Sequence, residues 1–326
     1  MPPESFDGAA AAGPTLAQVR PDPLPDVAAG PAAGAAAALD WLGMQGLKLP
    51  IHWPQGVGAT LQLPATLAAQ VNLIDPQARG IHMSRLYLAC EAGMGAHPLS
   101  PAALHTTLAT FLASHVGLSD AARLRLEFEL LLRRPALRSA ELAGWRSYPV
   151  WIEAALDAHG RFAVSAGLEL LYSSTCPASA ALARQMTGQH FLDAFGTQSA
   201  LSPHQVANWL LSPAGMPATP HAQRSRARLE LVLAVTRDDA VLPLSDWIDV
   251  CEEALQTSVQ TAVRRLDEQE FALRNGQNLM FCEDAARRLQ SVLAADGRLL
   301  RWRAEVAHLE SLHAHDAVAV VSGARI

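Results

Sequence analysis

Six short polar strings hold most of the residues that could do chemistry. In Ser173-Ser-Thr-Cys176-Pro177-Ala178-Ser179 a cysteine stands between an alternating apolar run and a helix-like segment. The partial positive charge of a helix N-terminus favours the thiolate, which can be a metal ligand or a nucleophile. A small residue packed in a helix cap fits the same position. Pro220-His221-Ala-Gln-Arg224-Ser225 offers an imidazole donor and a guanidinium for an anion, and also reads as an exposed loop. Leu266-Asp267-Glu268-Gln269-Glu270 reads by itself as a solvated charge cluster following a helix. Glu283 sits where the dipole favours an acid, in the first turn of a helix. In Glu310-Ser-Leu-His313-Ala-His315-Asp316 two histidines one residue apart point the same way from an extended segment, with Glu310 as an orienting acid. In Gly80-Ile-His82-Met-Ser84-Arg85 the glycine marks a close backbone approach, and Ser84 and Arg85 suit phosphate or carboxylate.

Familiar nucleotide and hydrolase signatures are missing. Neither G-x-x-x-x-G-K-[ST] nor G-x-G-x-x-G occurs, which disfavours P-loop and Rossmann sites. H-E-x-x-H, paired C-x-x-C and G-x-S-x-G are also absent.

The elements that must position these strings alternate along the chain. Residues 1–38, rich in Ala, Pro and Gly, read as a flexible tail, because they bury too little to offset ordering entropy. Ordered structure is expected from Leu39. Gly46–Trp53, Thr60–Ile74 and Gly80–Cys90 read as extended. Ser100-Pro101 starts a helix that runs to His115, with the serine as N-cap and proline at the first helical position. Leu124, Leu126, Phe128 and Leu130 alternate with charged residues, which predicts a half-buried strand. Strands follow around Tyr148–Ala154 and Phe162–Leu170, joined by a turn at Asp157-Ala-His-Gly160. Helices are expected over 179–195 and 203–211, a strand over 224–235, helices over 245–265 and 283–295, and strands over 300–308 and 315–321. Hairpin-like neighbours imply antiparallel pairing and an α+β fold with two related lobes, 39–150 and 151–326. The second lobe carries most of the candidate residues.

Composition narrows the function classes. With 326 residues and half of them apolar, the chain can bury a sizeable core. A net charge of −6 argues against a dedicated nucleic-acid binder. No apolar run is long enough to span a bilayer, and Met1-Pro-Pro-Glu4 lacks a signal-peptide layout. Four widely spaced cysteines are not a disulfide framework. A soluble protein of the cytoplasm is expected.

Taken in order, Gly80–Arg85, Ser174–Pro177, His221–Ser225, Phe281-Cys-Glu283-Asp284 and Glu310–Asp316 resemble GTP cyclohydrolase I of type IB, over about Leu39 to Val321. The resemblance implies a metal-dependent conversion of GTP to 7,8-dihydroneopterin triphosphate and formate, at the start of folate synthesis. It implies tandem tunnelling-fold (T-fold) lobes with antiparallel sheets and helix pairs, in a homotetramer with sites near subunit interfaces. It places metal ligands at Cys176, His221 and Glu268, a guanine-binding acid at Glu283 and a proton-transferring histidine at His313. Zn²⁺, Mn²⁺ or Fe²⁺ suits that mixed donor set. His82, Ser84, Arg85, Arg224, Glu310 and His315 are the substrate-binding candidates, with Arg85 and Arg224 for the triphosphate. Three positions depart from the family pattern: Ala178 replaces a second cysteine, Ala222 an asparagine, and Leu266 a proline. A T-fold nitrile reductase of queuosine synthesis, with Cys176 as nucleophile, and an inactive ligand-binding homologue are the alternatives.

Overall fold

The computed structural model describes residues 30–31, 34, 36–55 and 58–325. The expected tail therefore lies mostly outside the described residues. Its described end is paired: the Gly30 carbonyl accepts from the Arg79 N–H, and Pro31 bridges Ala78.

Eight strands form one antiparallel sheet in chain order. They are β1 (Leu39–Pro54), β2 (Thr60–Leu73), β3 (Ala122–Pro135), β4 (Ala143–Leu156), β5 (Phe162–Thr175), β6 (Ala222–Leu233), β7 (Leu299–His308) and β8 (Ala317–Ala324). The period-two pattern is what the sheet uses. Leu124, Leu126, Phe128 and Leu130 are buried against helices, while Arg125, Glu127 and Glu129 leave by the opposite face. That open face is laced with charge pairs between neighbouring strands, such as Arg125–Glu153 at 3.6 Å and Arg226–Glu169 at 3.8 Å. The predicted turn forms: Asp157 Oδ1 accepts from the His159 and Arg161 N–H groups, and Gly160 takes the positive φ of +72° that the turn needs.

Among the described residues there are seven α-helices: α1 (Met83–Met94), α2 (Pro101–Ala113), α3 (Pro177–Phe195), α4 (Pro203–Leu211), α5 (Leu244–Leu255), α6 (Arg265–Gln277) and α7 (Cys282–Ala294). Ser100 caps α2 through the Ala103 N–H, as expected, and α4 starts where expected, closed by a capping box of Ser202 with Gln205. The first pass runs strand–strand–helix–helix–strand–strand. In the second pass α3 and α4 separate β5 from β6, and three helices replace two. The sheet runs unbroken through residue 150, which lies inside β4.

Two element expectations are corrected. Gly80–Cys90 is not extended, because most of it belongs to α1. Its buried residues Leu86, Ala89, Cys90 and Met94 follow a helical, not an alternating, spacing. The single helix expected over 245–265 is α5 followed by a connection and the start of α6. Gln256 ends α5 in the left-handed region at φ 67°. Thr257 then pairs with Ser173 of β5 through two bonds: the Ser173 N–H reaches the Thr257 carbonyl at 2.8 Å, and the Thr257 hydroxyl reaches the Ser173 carbonyl at 2.6 Å.

Candidate active site

Antiparallel pairing gives the sheet two rims. At one, β3, β5 and β7 end while β4, β6 and β8 begin, so residues far apart in sequence share one edge. Cys176 follows β5 there, His221 precedes β6, and Glu310 and His313 follow β7.

Cys176 and His221 are tied together through Ser179. The Cys176 N–H donates to the His221 carbonyl at 3.3 Å, and the His221 N–H donates to Ser179 Oγ at 3.0 Å. The Ser179 N–H points back to Cys176 Sγ at 3.5 Å, so the cysteine is the N-cap of α3. Pro177 fits the first helical position because it has no N–H to satisfy. The Cys176 side chain is partly open, as a ligand or nucleophile requires.

The His221 ring is oriented by acceptors. Its Nδ1 lies 3.2 Å from Gln223 Oε1 and 3.7 Å from Glu310 Oε2. Gln223 Nε2 donates to Glu310 Oε1 at 3.4 Å, which fixes the amide with its oxygen toward the imidazole. With Nδ1 facing these acceptors, the tautomer that carries its proton there leaves the lone pair of Nε2 for a cation. Glu310 Oε2 is buried without a hydrogen-bond partner. Glu310 therefore serves His221 rather than the histidines that follow it in sequence. Those two, His313 and His315, are exposed in the β7–β8 connection with rings stacked 5.0 Å apart.

Behind this group lies a layer that sequence reasoning missed. His308, the last residue of β7, is buried, and its Nε2 is 3.0 Å from the Tyr172 hydroxyl. Burial pushes His308 down to about 4 and Tyr172 well up, so both are neutral near pH 7. His308 shares strand parity with Glu310 two residues on, and that signal could have found it. The Met280 N–H donates to the Thr175 carbonyl, which seats the start of α7 beside Cys176. In the first turn of α7 the Glu283 carboxylate is held below the usual range, by its own backbone N–H first and the Cys282 thiol second. The thiol is 3.3 Å from Glu283 Oε2.

Glu268 is exposed in the first turn of α6, so it opens a helix rather than following one. Its neighbour Asp267 corrects the picture of a solvated cluster. Fully buried, it accepts from the Arg138 N–H at 2.7 Å, the Ser139 N–H at 2.9 Å, Ser139 Oγ at 2.6 Å and the Arg264 N–H at 2.9 Å. These bonds hold its carboxyl well below the carboxylate range and clamp α6 to the β3–β4 loop on the same rim. Among the described residues, no group of three or more His, Cys, Asp or Glu side chains gathers to hold a metal. The single chain thus unites Cys176 with His221 but does not bring Glu268 to them.

The remaining candidates lie elsewhere in the chain. His82 is the N-cap residue of α1, and Ser84 and Arg85 are exposed in its first turn. Arg85 Nη1 donates to the Ser114 carbonyl at 2.6 Å, near where β2 ends and β3 begins, which is the rim opposite Cys176. Strands of 14 residues separate the two rims by about 45 Å. Arg224 is exposed, alternating with the buried Gln223 and Ser225.

An antiparallel sheet backed by helices on one face and charged on the other defines the architectural class. It matches the crystal structure of uricase from Arthrobacter globiformis, with a TM-score of 0.52 over 88% of this chain and 94% of that one, at 8% identity. A family model described as type I GTP cyclohydrolase folE2 matches residues 24–319, and the chain belongs to that family. It is an enzyme of the GTP cyclohydrolase class. GTP cyclohydrolase FolE2 of Pseudomonas putida (strain GB-1) is 48% identical over 91% of this chain and 94% of its own length. FolE2 of Pseudomonas syringae pv. tomato is 47% identical over 92% and 98%. Membership sets the nitrile-reductase alternative aside.

Proposed function

We propose that the chain hydrolyses GTP to 7,8-dihydroneopterin triphosphate and formate, the first step of tetrahydrofolate biosynthesis, with a divalent cation held by Cys176, His221 and Glu268. The observation that carries this reading is the Ser179-linked pair of Cys176 and His221, with the imidazole turned so that Nε2 is free. A partly open thiol, an oriented imidazole and a supporting carboxylate fit a zinc-like donor set. Zn²⁺, Mn²⁺ or Fe²⁺ held there would lower the pKa of a water and polarise the carbon under attack.

The chain's own residues do the rest. Glu283, ionised in the first turn of α7, accepts from the guanine N–H edge in a bidentate arrangement. His313 carries protons to and from the ring nitrogens as a general acid and base. Glu310 and Gln223 hold His221 in one tautomer. Arg85 and Arg224 receive the triphosphate, since the sequence has no P-loop to cradle it, and His82, Ser84 and His315 are further substrate contacts.

Residues on opposite rims of one sheet cannot meet on one GTP, so each pocket draws on two copies of the chain. We place the copies in a homotetramer of tandem T-fold lobes, divided near residue 150, in which charged open faces line a tunnel. No described helix is long and apolar enough to cross a membrane. A soluble cytoplasmic enzyme is the accompanying proposal.

The test is formate release and neopterin fluorescence across a metal panel. Chelation abolishes both and added Mn²⁺ or Zn²⁺ restores them. Undiminished turnover in excess chelator would refute the metal-assisted reading. A chain that neither retains stoichiometric metal nor releases formate is an inactive homologue.

A further inference from the structure

Glu283 is exposed in the first turn of α7, so its carboxylate is only as well placed as the helix that carries it. That helix packs mainly on β7, β8 and α5, whereas Cys176 follows β5. In its first two turns the buried face is made of Cys282, Ala285 and Ala286, all small. Apolar burial is non-directional, and small side chains form shallow ridges that resist sliding along the helix axis only weakly. Hydrogen bonds are directional, and a chain of them supplies the missing reference. It starts at Ser173, just before Cys176 in β5, whose carbonyl accepts from the Thr257 hydroxyl at 2.6 Å. Thr257 Oγ1 accepts in turn from Asn278 Nδ2 at 3.4 Å, and the same amide nitrogen donates to the Leu255 carbonyl at 2.9 Å. Asn278 Oδ1 accepts from Arg288 Nη1 at 2.6 Å. A donor on one side and acceptors on the other fix the amide in one orientation. Asn278 is 5% exposed and Thr257 1%, so water competes little for these bonds.

We propose that Asn278 and Arg288 are positioning residues for guanine selectivity, which hold Glu283 where its carboxylate meets both the N1–H and the 2-amino group of the base. The inference rests on the reading of Glu283 as the guanine-binding acid. Arg288 is half-buried on α7, about 7.5 Å along the axis from Glu283, so a tie at Arg288 fixes how far the first turn can slide. Its Nη1 also reaches the Ala254 carbonyl at 3.5 Å, in the last turn of α5. Through Asn278 and Thr257 the position of the acid is thereby referred to the strand that delivers Cys176. A bidentate acceptor is sensitive to such a slide, because a small shift that keeps one hydrogen bond stretches the other. Asn278 and Arg288 touch neither base nor metal in this reading, and act only through Glu283. Inosine triphosphate lacks the 2-amino group and offers one of the two donors. A well-placed carboxylate rejects it, and a displaced one hardly tells the two nucleotides apart.

The experiment is the ratio of dissociation constants for inosine triphosphate and GTP, by isothermal titration calorimetry on the full-length protein in EDTA. Neither turnover nor metal enters that ratio. The wild-type chain should favour GTP at least tenfold, the worth of one hydrogen bond to a charged group. Glu283→Gln should bring the ratio near one. Arg288→Met keeps the apolar stem and loses the donors, and should cut the ratio at least threefold. Asn278→Ala should do the same, and where that variant fails to fold Arg288→Met decides alone. Arg237→Met removes an equal charge from an exposed site in the β6–α5 connection and should leave the ratio unchanged. General destabilisation cannot imitate the result: the unfolded chain binds neither nucleotide, so the folded fraction cancels. The proposal is overturned if Arg288→Met keeps the wild-type ratio while Glu283→Gln loses it, or if Arg237→Met falls as far. A ratio unmoved by Glu283→Gln instead sinks the assignment of Glu283 itself, and the positioning role falls with it.

Discussion

A single imidazole shows how much the site depends on orientation. His221 is useful to a cation only while Nδ1 keeps its proton, and Gln223 and Glu310 see to that. Glu310→Ala should therefore weaken metal binding by about 10–100-fold, the usual cost of losing such a support. Activity lost at limiting metal should return with excess. If excess metal does not rescue it, Glu310 has another task. Cys176→Ala should lose metal and turnover together while the fold persists. Full metal occupancy in that variant would remove Cys176 from the ligand set.

His308 sets an acid limit on stability. It is neutral in the fold, with a pKa near 4, whereas an exposed imidazole titrates near 6.5. Its contribution is complete above about 6.5 and is lost as pH falls toward 4, because the unfolded chain takes up the proton first. Between pH 7 and 5 urea unfolding should lose about 1–2 kcal/mol from this group. Replacing His308 by Gln should flatten that slope, and an unchanged slope would show that another group is responsible.

At the scale of elements, α6 is positioned by one buried carboxylate. Asp267 ties its first turn to Arg138 and Ser139. Asp267→Ala should release that turn and carry Glu268 with it, lowering both the melting temperature and metal affinity although no ligand has changed. Normal affinity in a destabilised protein would show that Glu268 does not need this clamp. Elements with strong local signals were legible in the sequence: the alternation of β3, the Ser100 cap, the start of α4 and the Asp157–Gly160 turn. Two were not. The α1 segment opens with Gly80, Ile81 and Met83, which look like alternation before the helical spacing of Leu86, Ala89, Cys90 and Met94 takes over. The end of α5 lacks a glycine or proline, and what stops it is the pairing of Thr257 with Ser173, over 80 residues away.

For the whole molecule the decisive fact is that the candidate residues divide between opposite rims of one sheet. Mixing the Arg85→Ala and Cys176→Ala proteins after joint dissociation and reassembly should restore part of the activity, since hybrid pockets combine intact halves from each. Failure of hybrids that demonstrably form would mean that the pocket lies within one chain.

The sequence by itself named the candidate donor residues and carried the strand alternation and the starts of the helices, because side-chain chemistry and short-range periodicity are local properties. It also carried the family, through motifs kept in order. Only the tertiary structure decided that Gln223 and Glu310 face His221, that His308 and Tyr172 lie beneath, that Asp267 is a buried clamp, and that Arg85 stands at the far rim from Cys176. Those relations depend on strand register and on where a long chain returns to itself. Spacing along the sequence does not encode them.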